Sequence, residues 1–139
     1  MAQSMRDVMT TQPVALPATS SVVDAARAMR DSDIGNVIVL ENGQICGIVT
    51  DRDSAIRGVA EGRNISSLTL GDICSRQLTT LSPTDSVDDA ALLMREKALR
   101  RLPAVEGGKP VGIVPLGDLA VTQDPHSALG NISSAPANR

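Results

Sequence analysis

Two stretches of equal length, "NVIVLENGQICGIVT" at 36–50 and "RLPAVEGGKPVGIVP" at 101–115, decide how this chain folds. Each has an apolar run, a pair of turn residues and a second apolar run. The pairs Asn42-Gly43 and Gly107-Gly108 tolerate positive φ, which a two-residue hairpin turn requires. Both stretches are therefore predicted to be β-hairpins, and their likeness indicates an internal repeat.

The repeat extends well beyond the hairpins. A shift of 65 positions aligns residues 7–55 with 72–120 without a gap and gives 18 identities in 49 positions. A duplication is the only sensible explanation. Each copy reads as strand, helix, strand, strand, helix, and one copy of about fifty residues buries little surface by itself. The predicted fold class is α/β (α+β), with two pseudo-twofold-related β-α-β-β-α motifs packed through their sheets.

The helix of each copy has apolar residues at helical spacing: "SVVDAARAMRDS" at 21–32 and "SVDDAALLMREK" at 86–97. Each begins with a serine, Ser21 or Ser86, followed three positions later by an aspartate, a pattern typical of an N-terminal cap. The second helix also carries Leu92 and Leu93, which widen its apolar face beyond one core-facing stripe. This surplus predicts a homodimer contact, with a wider intramolecular contact as the alternative.

The repeat also sets the predicted boundaries. The first motif spans 6–62, a linker spans 63–70, and the second motif spans 71–122. From residue 123 to 139 the chain is rich in Pro, Ser, Ala and Asn, which predicts a disordered tail.

Composition excludes several classes of function. The formal net charge is −3, and Phe, Tyr and Trp are absent, so neither a nucleic-acid partner nor a membrane surface is expected. No apolar run is long enough to span a bilayer, and the N-terminus lacks a signal-peptide pattern, which makes a cytoplasmic location the default expectation.

The few cysteines and the single histidine also argue against a metal site and a catalytic site. Cys46 and Cys74 are not a C-x-x-C pair, and the single histidine, His126, is distant from both in the sequence. We interpret the cysteines as small apolar residues, one in a strand and one in a short helix. The pattern gives no metal site, no cofactor, and no nucleophile with a neighbouring base, so an enzyme is not expected.

The stretch from "DVMTTQPV" to "GIVTDRD", ending at Asp53, resembles a CBS motif, named after cystathionine β-synthase, and 71–120 resembles a second one. The resemblance covers about 6–122. It implies a tandem pair, often called a Bateman module, that dimerises and binds an adenosine-containing ligand in a cleft between the motifs. AMP, ADP, ATP and S-adenosylmethionine are all possible under this interpretation. The implied role is regulatory, acting on an unidentified partner protein.

The resemblance also implies which residues contact the ligand. The family signature, glycine, two apolar residues, Thr or Ser, any two residues and Asp, maps its threonine onto Thr50 and its aspartate onto Asp53. In the second motif the aspartate maps onto Asp118, but Pro115 departs from the pattern and lacks the hydroxyl, so a weaker site is expected there. The other implied ligand contacts are Val14, Ala15, Asn36, Val37, Ile38, Ile48 and Arg52 around the first signature, and Thr80, Arg101, Leu102 and Pro103 around the second.

Two interpretations of Thr50-x-x-Asp53 stay open. It matches a capping box, in which the threonine and the aspartate satisfy backbone donors of a first helical turn. The alternative is a ligand site, because a carboxylate can accept hydrogen bonds from two neighbouring ribose hydroxyls. At the level of the whole chain, the alternative to a ligand sensor is a ligand-free structural or dimerisation module that regulates a partner protein.

Overall fold

The computed structural model describes residues 4–76 and 78–116, which fall into two compact units. We call residues 13–78 the first-hairpin unit, and residues 4–12 with 79–116 the second-hairpin unit. Along the chain the helices and strands are α1 (Met5–Val8), β1 (Thr10–Thr11), β2 (Ala15–Pro17), α2 (Val22–Ser32), β3 (Asn36–Glu41), β4 (Gln44–Thr50), α3 (Asp51–Asp53), a π-helix (Ser54–Val59), α4 (Leu70–Ile73), α5 (Val87–Lys97), β5 (Arg101–Glu106) and β6 (Lys109–Pro115).

Each unit is built on one of the two predicted hairpins. β3 pairs antiparallel with β4, and β5 pairs antiparallel with β6. The turn residues have positive φ as predicted, 55° at Asn42 and 79° at Gly43, and 61° and 79° at Gly107 and Gly108. The mixed α/β class predicted from the repeat is confirmed, with three-stranded sheets ordered β2-β3-β4 and β1-β6-β5.

The two long helices begin at the predicted serines. The Ser21 hydroxyl accepts a hydrogen bond from the Asp24 N–H at 3.0 Å, and the Ser86 hydroxyl accepts one from the Asp89 N–H at 3.0 Å. Such caps satisfy donors that the first helical turn leaves free, and each contributes about 1 kcal/mol. Both cap predictions are confirmed.

Each unit has its own core beneath the inner face of its helix. In the first-hairpin unit this core includes Val22, Ala25, Met29, Val37, Val39 and Val49; in the second-hairpin unit it includes Val87, Ala90, Met94, Leu102, Ala104 and Val114. Leu93 is partly buried against the second core, while the Leu92 side chain is 49% exposed. The surplus apolar face predicted for α5 is thus reduced to Leu92, because Leu93 contacts its own unit.

The segment that leads into each copy packs in the unit of the other copy. Thr10 pairs with Ile113 of the second hairpin, and the equivalent residue Ser75 pairs with Ile48 of the first. Met5 and its equivalent, Leu70, are both fully buried, Met5 in the second core and Leu70 in the first. The lead-in segments are therefore exchanged between the repeats, a feature that the repeat pattern did not predict.

Backbone hydrogen bonds fix these exchanged segments. The Met5 N–H donates to the Asp85 carbonyl at 2.7 Å, and the Leu70 N–H donates to the Ser20 carbonyl at 2.9 Å. Both short helices begin with a capping box, Ser4 with Asp7 at α1 and Thr69 with Asp72 at α4. Hydrogen bonds from the Thr69 backbone and hydroxyl lower the pKa of the Asp72 carboxyl. The α4 box is therefore present at neutral pH and is lost only as the pH falls through that lowered pKa.

The helix predicted to follow the first hairpin, 51–62, changes from an α-helix to a π-helix after its first turn. α3 continues directly into the π-helix, where the Ala60 N–H donates to the Ala55 carbonyl, five residues back, at 2.7 Å. A groove of about 600 Å³ lies between α2 and this helix, lined mainly by apolar side chains that include Val23, Ile34, Val59 and Ile65. A single widened turn of this kind often occurs at functional positions.

Some predictions fall outside the described residues: Asp118, most of the second final helix at 116–122, the tail at 123–139, and His126. Within residues 4–76 and 78–116, no helix has both the length and the apolar character needed to cross a bilayer.

Candidate functional site

The ligand contacts implied in the first copy meet at one end of the first-hairpin sheet, where β3 begins and β4 ends. We call this end of the sheet, and its equivalent in the second-hairpin unit, an edge. Asn36, the first residue of β3, pairs with Thr50, the last residue of β4, and Ile38 pairs with Ile48. On the other side of β3, Ala15 pairs with Ile38, whose N–H donates to the Val14 carbonyl at 2.9 Å. Three strands thus bring side chains from three distant parts of the sequence together.

The alternation of the strands divides these residues between two faces. Val37 belongs to the core, whereas its neighbours lie on the opposite face, where Asn36 is partly buried and Ile38, like Val37, has no exposed surface. Val14 also packs against the core. A ligand can therefore meet Val37 only through its backbone atoms, and the contact implied for this residue stays a prediction in that form. The same holds for Leu102 in the second copy, since its side chain is fully buried in the second core.

Thr50 and Asp53 form a complete capping box at the end of β4. The Thr50 hydroxyl accepts from the Asp53 N–H at 3.0 Å, and Asp53 Oδ2 accepts from the Thr50 N–H at 2.9 Å. The second carboxylate oxygen, Oδ1, lies 3.9 Å from the Arg57 Nε, in a contact at the outer limit of an ion pair. The capping interpretation is confirmed. The ligand role stays a prediction, and it would rest on Oδ1, because the box already uses Oδ2.

The other charged side chains at this edge carry both signs of charge. Asp51 and Arg52 are both exposed, and the Arg52 N–H donates to the Asp51 carboxylate at 2.8 Å. The Asp51 N–H donates to the Gly35 carbonyl at 3.0 Å, which holds the start of α3 against the loop before β3. Two carboxylates, Asp51 and Asp53, therefore flank the only hydroxyl of the signature.

The second-hairpin unit has an equivalent edge with different chemistry. Arg101 pairs with Pro115 and Pro103 pairs with Ile113, in the positions of Asn36 with Thr50 and Ile38 with Ile48. Thr80 is exposed and precedes Leu81, whose N–H donates to the Pro103 carbonyl at 3.0 Å. Pro115 supplies neither a hydroxyl nor an N–H, so a box like that of Thr50 cannot form here.

Arg101 is the unusual residue of this second edge. Its Nε is buried, and within residues 4–76 and 78–116 no atom accepts a hydrogen bond from it. A buried donor without an acceptor is costly, and more so for a charged group. Arg101 is an implied ligand contact through the family resemblance, but no sequence signal could reveal that its Nε has no acceptor in the part of the chain that the structure describes.

The cysteines lie away from both edges. Cys74 is buried in the first core, and Cys46, in β4, packs against it; neither is in a disulfide. Burial raises the pKa of the Cys46 thiol. The nearby ion pair between Arg76 and Glu41 measures 3.0 Å, and the hydrogen bond from Arg76 lowers the pKa of the Glu41 carboxyl. Within the described residues, no group of three or more potential metal-ligating side chains occurs.

Comparison with known proteins agrees with this architecture. The family model of the CBS domain matches the chain twice, at residues 5–53 and 70–122. The chain belongs to the CBS domain family. The CBS domain-containing protein YhcV of Bacillus subtilis is 40% identical over 134 residues, which cover 94% of this chain and 95% of that protein.

Solved CBS structures share the fold. A putative signal-transduction protein with CBS domains from Burkholderia ambifaria has a TM-score of 0.75 at 29% identity, covering 84% of this chain and 86% of that one. A CBS domain pair solved in complex with 5′-methylthioadenosine and S-adenosyl-L-methionine has a TM-score of 0.78 at 22% identity, covering 88% of this chain and 96% of that one. At 22% identity this second likeness establishes the CBS-pair fold alone.

Proposed function

We propose that this CBS pair is a regulatory module that binds an adenosine-containing ligand at the sheet edges where the hairpins end. The observation that carries the proposal is the meeting of Ala15, Asn36, Ile48 and Thr50 from three strands at one edge, beside Asp53. The related CBS pair bound to 5′-methylthioadenosine and S-adenosyl-L-methionine supports the same class of ligand. We further propose that the signal passes to a separate protein.

The chemistry of this edge suits an adenosine group. Asp53 Oδ1 is free of the capping box and can accept hydrogen bonds from ribose hydroxyls, with the strength of charge-assisted bonds. Because the chain has no aromatic residue, a planar base would pack between aliphatic side chains such as Ala15 and Ile48. Both of these side chains are only partly buried.

Direct spectroscopy tests the proposal, because the chain contains neither Trp nor Tyr. The protein is nearly transparent between roughly 260 and 280 nm, so bound adenine would dominate the spectrum of a dialysed sample. We expect AMP, ATP or S-adenosylmethionine at millimolar concentration to raise the melting temperature and to remain bound on a desalting column. If all three fail, the ligand-free structural module is the correct interpretation.

Asp53→Asn tests the site itself. Asparagine keeps the shape of the side chain and an oxygen for the cap, but it removes the charge that grips the hydroxyls. A charge-assisted hydrogen bond contributes about 1.5–3 kcal/mol, so calorimetric titration of adenosine should show roughly tenfold weaker binding or more. The free energy of unfolding without ligand should fall by no more than about 1 kcal/mol, the scale of one helix cap.

Asp72→Asn is the matched control, because Asp72 forms the same kind of box with Thr69 at α4. This variant should bind adenosine as the wild type does. If Asp53→Asn also binds normally, Asp53 is a cap alone and the proposed site is wrong.

We also propose that the chain forms a homodimer. Leu92 on α5 is 49% exposed, and Ile56 and Val59 on the π-helix are 50% and 62% exposed. Val59 lines the apolar groove of the first-hairpin unit, and an exposed apolar side chain beside such a groove is typical of a surface that another chain covers. Light scattering at micromolar concentration should give about twice the chain mass of 14.5 kDa. Ile56→Asp with Val59→Asp should shift this mass to that of the monomer; a wild type that is already monomeric contradicts the proposal.

A further inference from the structure

Arg57 connects the candidate site with a helix that leads into the second sequence motif. It lies in the π-helix that begins directly after Asp53. Its Nη1 donates to the Ile73 carbonyl at 3.0 Å, and its Nε lies 3.9 Å from Asp53 Oδ1. Ile73 is the last residue of α4. Within the first-hairpin unit, one guanidinium therefore contacts both the proposed ligand carboxylate and α4.

The contact with α4 is a complete hydrogen bond. The last carbonyl groups of a helix have no donor within that helix, and the Arg57 side chain supplies one to Ile73. The two amides that follow belong to the same end of α4. The Cys74 N–H closes its single turn at 2.9 Å, and the Ser75 N–H donates to the Ile48 carbonyl at 3.1 Å. These two amides therefore report on whether the end of α4 is closed.

The contact between Arg57 and Asp53, in contrast, leaves a gap. At 3.9 Å, Nε and Oδ1 are too far apart for a direct hydrogen bond. An oxygen atom about 2.8 Å from each would fit between them, and a hydroxyl group can donate to the carboxylate while it accepts from the Nε–H. Asp53 Oδ2 already accepts from the Thr50 N–H at 2.9 Å, which fixes the orientation of the carboxylate. The gap therefore has the size and polarity that one hydroxyl group requires.

We infer that Arg57 is a second ligand residue of this edge: its Nε and Asp53 Oδ1 bind one ribose hydroxyl between them, and this binding stabilises the C-terminal end of α4. The inference rests on the proposed function, since it names a further contact with the same ligand and the segment that responds to it. The Asp53 side chain is 19% exposed and the Arg57 side chain 50%, so the carboxylate is sheltered from water while the guanidinium stays accessible.

The stabilisation of α4 follows from the same contacts. With the hydroxyl in place, hydrogen bonds run without a gap from the ligand through Arg57 to the Ile73 carbonyl. A guanidinium held at both ends has less freedom to leave that carbonyl, so the end of α4 opens less often.

The repeat does not preserve this arrangement. The shift of 65 positions that relates the copies places Asp118 opposite Asp53 but Thr122 opposite Arg57, and both of these residues lie outside the described part of the chain. Threonine has neither the charge nor the planar fork of donors that a guanidinium has. The inferred role therefore belongs to the first copy.

The decisive experiment removes the hydroxyl from the ligand and the guanidinium from the protein. In calorimetric titrations of the wild type, we expect 2′-deoxyadenosine or 3′-deoxyadenosine to bind at least about fivefold more weakly than adenosine. Arg57→Gln should weaken adenosine by at least about fivefold, yet it should change the affinity of that deoxyadenosine by less than about twofold. A residue that acted only through the fold would weaken both nucleosides equally.

Hydrogen exchange tests the effect on α4. Saturating adenosine should slow exchange of the Cys74 and Ser75 amides in the wild type by at least about threefold, and in Arg57→Gln it should not. The Val37 and Val49 amides, in the buried strands, should be slowed in both proteins, because a ligand that binds the folded state stabilises the whole unit.

Arg27→Gln is the matched control. Arg27 forms an ion pair of similar length with Asp24, 4.0 Å, on the exposed face of α2, so its loss changes the net charge equally and should alter neither the affinities nor the α4 amides. Arg57→Lys guards against misfolding: its ammonium group reaches only one of the two partners, so it should retain the hydroxyl dependence or the α4 response but not both. Melting curves without ligand identify any unfolded variant.

The outcomes separate the inference from the proposed function. If adenosine, AMP and S-adenosylmethionine all fail to bind the wild type, the proposed function is wrong and the inference falls with it. If adenosine binds but Arg57→Gln leaves its affinity unchanged, or weakens adenosine and both deoxyadenosines equally, the inference is overturned and the proposed function stands. The same holds if adenosine slows the Cys74 and Ser75 amides equally in the wild type and in Arg57→Gln.

Discussion

Leu70→Ala should destabilise the protein by about 2–5 kcal/mol, the usual cost of removing a buried leucine side chain. Leu70 has no exposed surface, and its side chain completes the core beneath α2 although it lies in the lead-in of the second sequence motif. Because domains of this size are stable by only about 5–15 kcal/mol, the loss is a large part of the total. Urea denaturation monitored by circular dichroism measures it, with Glu61→Ala, at an exposed position of the same unit, as the control that should change little.

The exchange of the lead-in segments gives this experiment a second readout. Met5 is equivalent to Leu70 in the repeat and is fully buried in the second core. Met5→Ala should therefore accelerate amide hydrogen exchange in β5 and β6, and Leu70→Ala should do so in β3 and β4. If Met5→Ala instead loosened β3 and β4, the lead-in would pack within its own copy and the exchange would be disproved.

Gly47→Ala should cost about 1–3 kcal/mol, the range for forcing an extra methyl group into a packed site. A Cβ at Gly47 would lie 2.5 Å from the Ser75 carbonyl oxygen and 3.1 Å from Cys74 Sγ. The carbonyl is backbone and is held by the bridge between Ser75 and Ile48, whose N–H···O bonds measure 3.1 and 3.4 Å. The methyl group can therefore be accommodated only by separating β4 from that segment.

The repeat supplies the matched control for this prediction. At the equivalent Gly112, the added Cβ would meet the Met9 side chain, including its sulfur. A methionine side chain has several rotatable bonds and can move aside, so Gly112→Ala should cost clearly less than Gly47→Ala. Thermal unfolding of the two variants measures the difference. Equal losses, or a larger loss for Gly112→Ala, would show that the contact with Ser75 is not what constrains Gly47.

Local patterns were sufficient to predict most of the fold. The hairpin turns at Asn42-Gly43 and Gly107-Gly108 were predictable because positive φ favours these residue types, and the caps at Ser21 and Ser86 because a hydroxyl there satisfies free N–H groups. The exchange of the lead-in segments was not predictable. Met5 and Leu70 are both large and apolar, so the pattern fits either core, and only the packing of the whole chain distinguishes the two arrangements.

The candidate site was predictable in part. The resemblance nominated residues from separate segments, and the strands bring Asn36, Ile48 and Thr50 together. The alternation of side chains along a strand is visible in the sequence, and it places Val37 and Leu102 on the core face. It could therefore have predicted that these two side chains do not reach a ligand. The sequence could not predict that the Arg101 Nε lacks an acceptor among the described residues, because this depends on the three-dimensional position of every nearby oxygen.

The exchanged segments also impose an order on folding during synthesis. The first-hairpin unit is one continuous piece of chain, 13–78, and can close as soon as that piece has left the ribosome. The segment at 4–12 is made earlier, yet the strand that pairs with Thr10 and Thr11 is β6, near the far end of the described chain. Thr10 and Thr11 therefore lack their partner strand until β6 has been made, and a pairing so distant in sequence forms slowly. Closure of this long loop is the expected slow step of folding. A chain stalled on the ribosome before β6 is made would contain a folded first-hairpin unit and an incomplete second-hairpin unit.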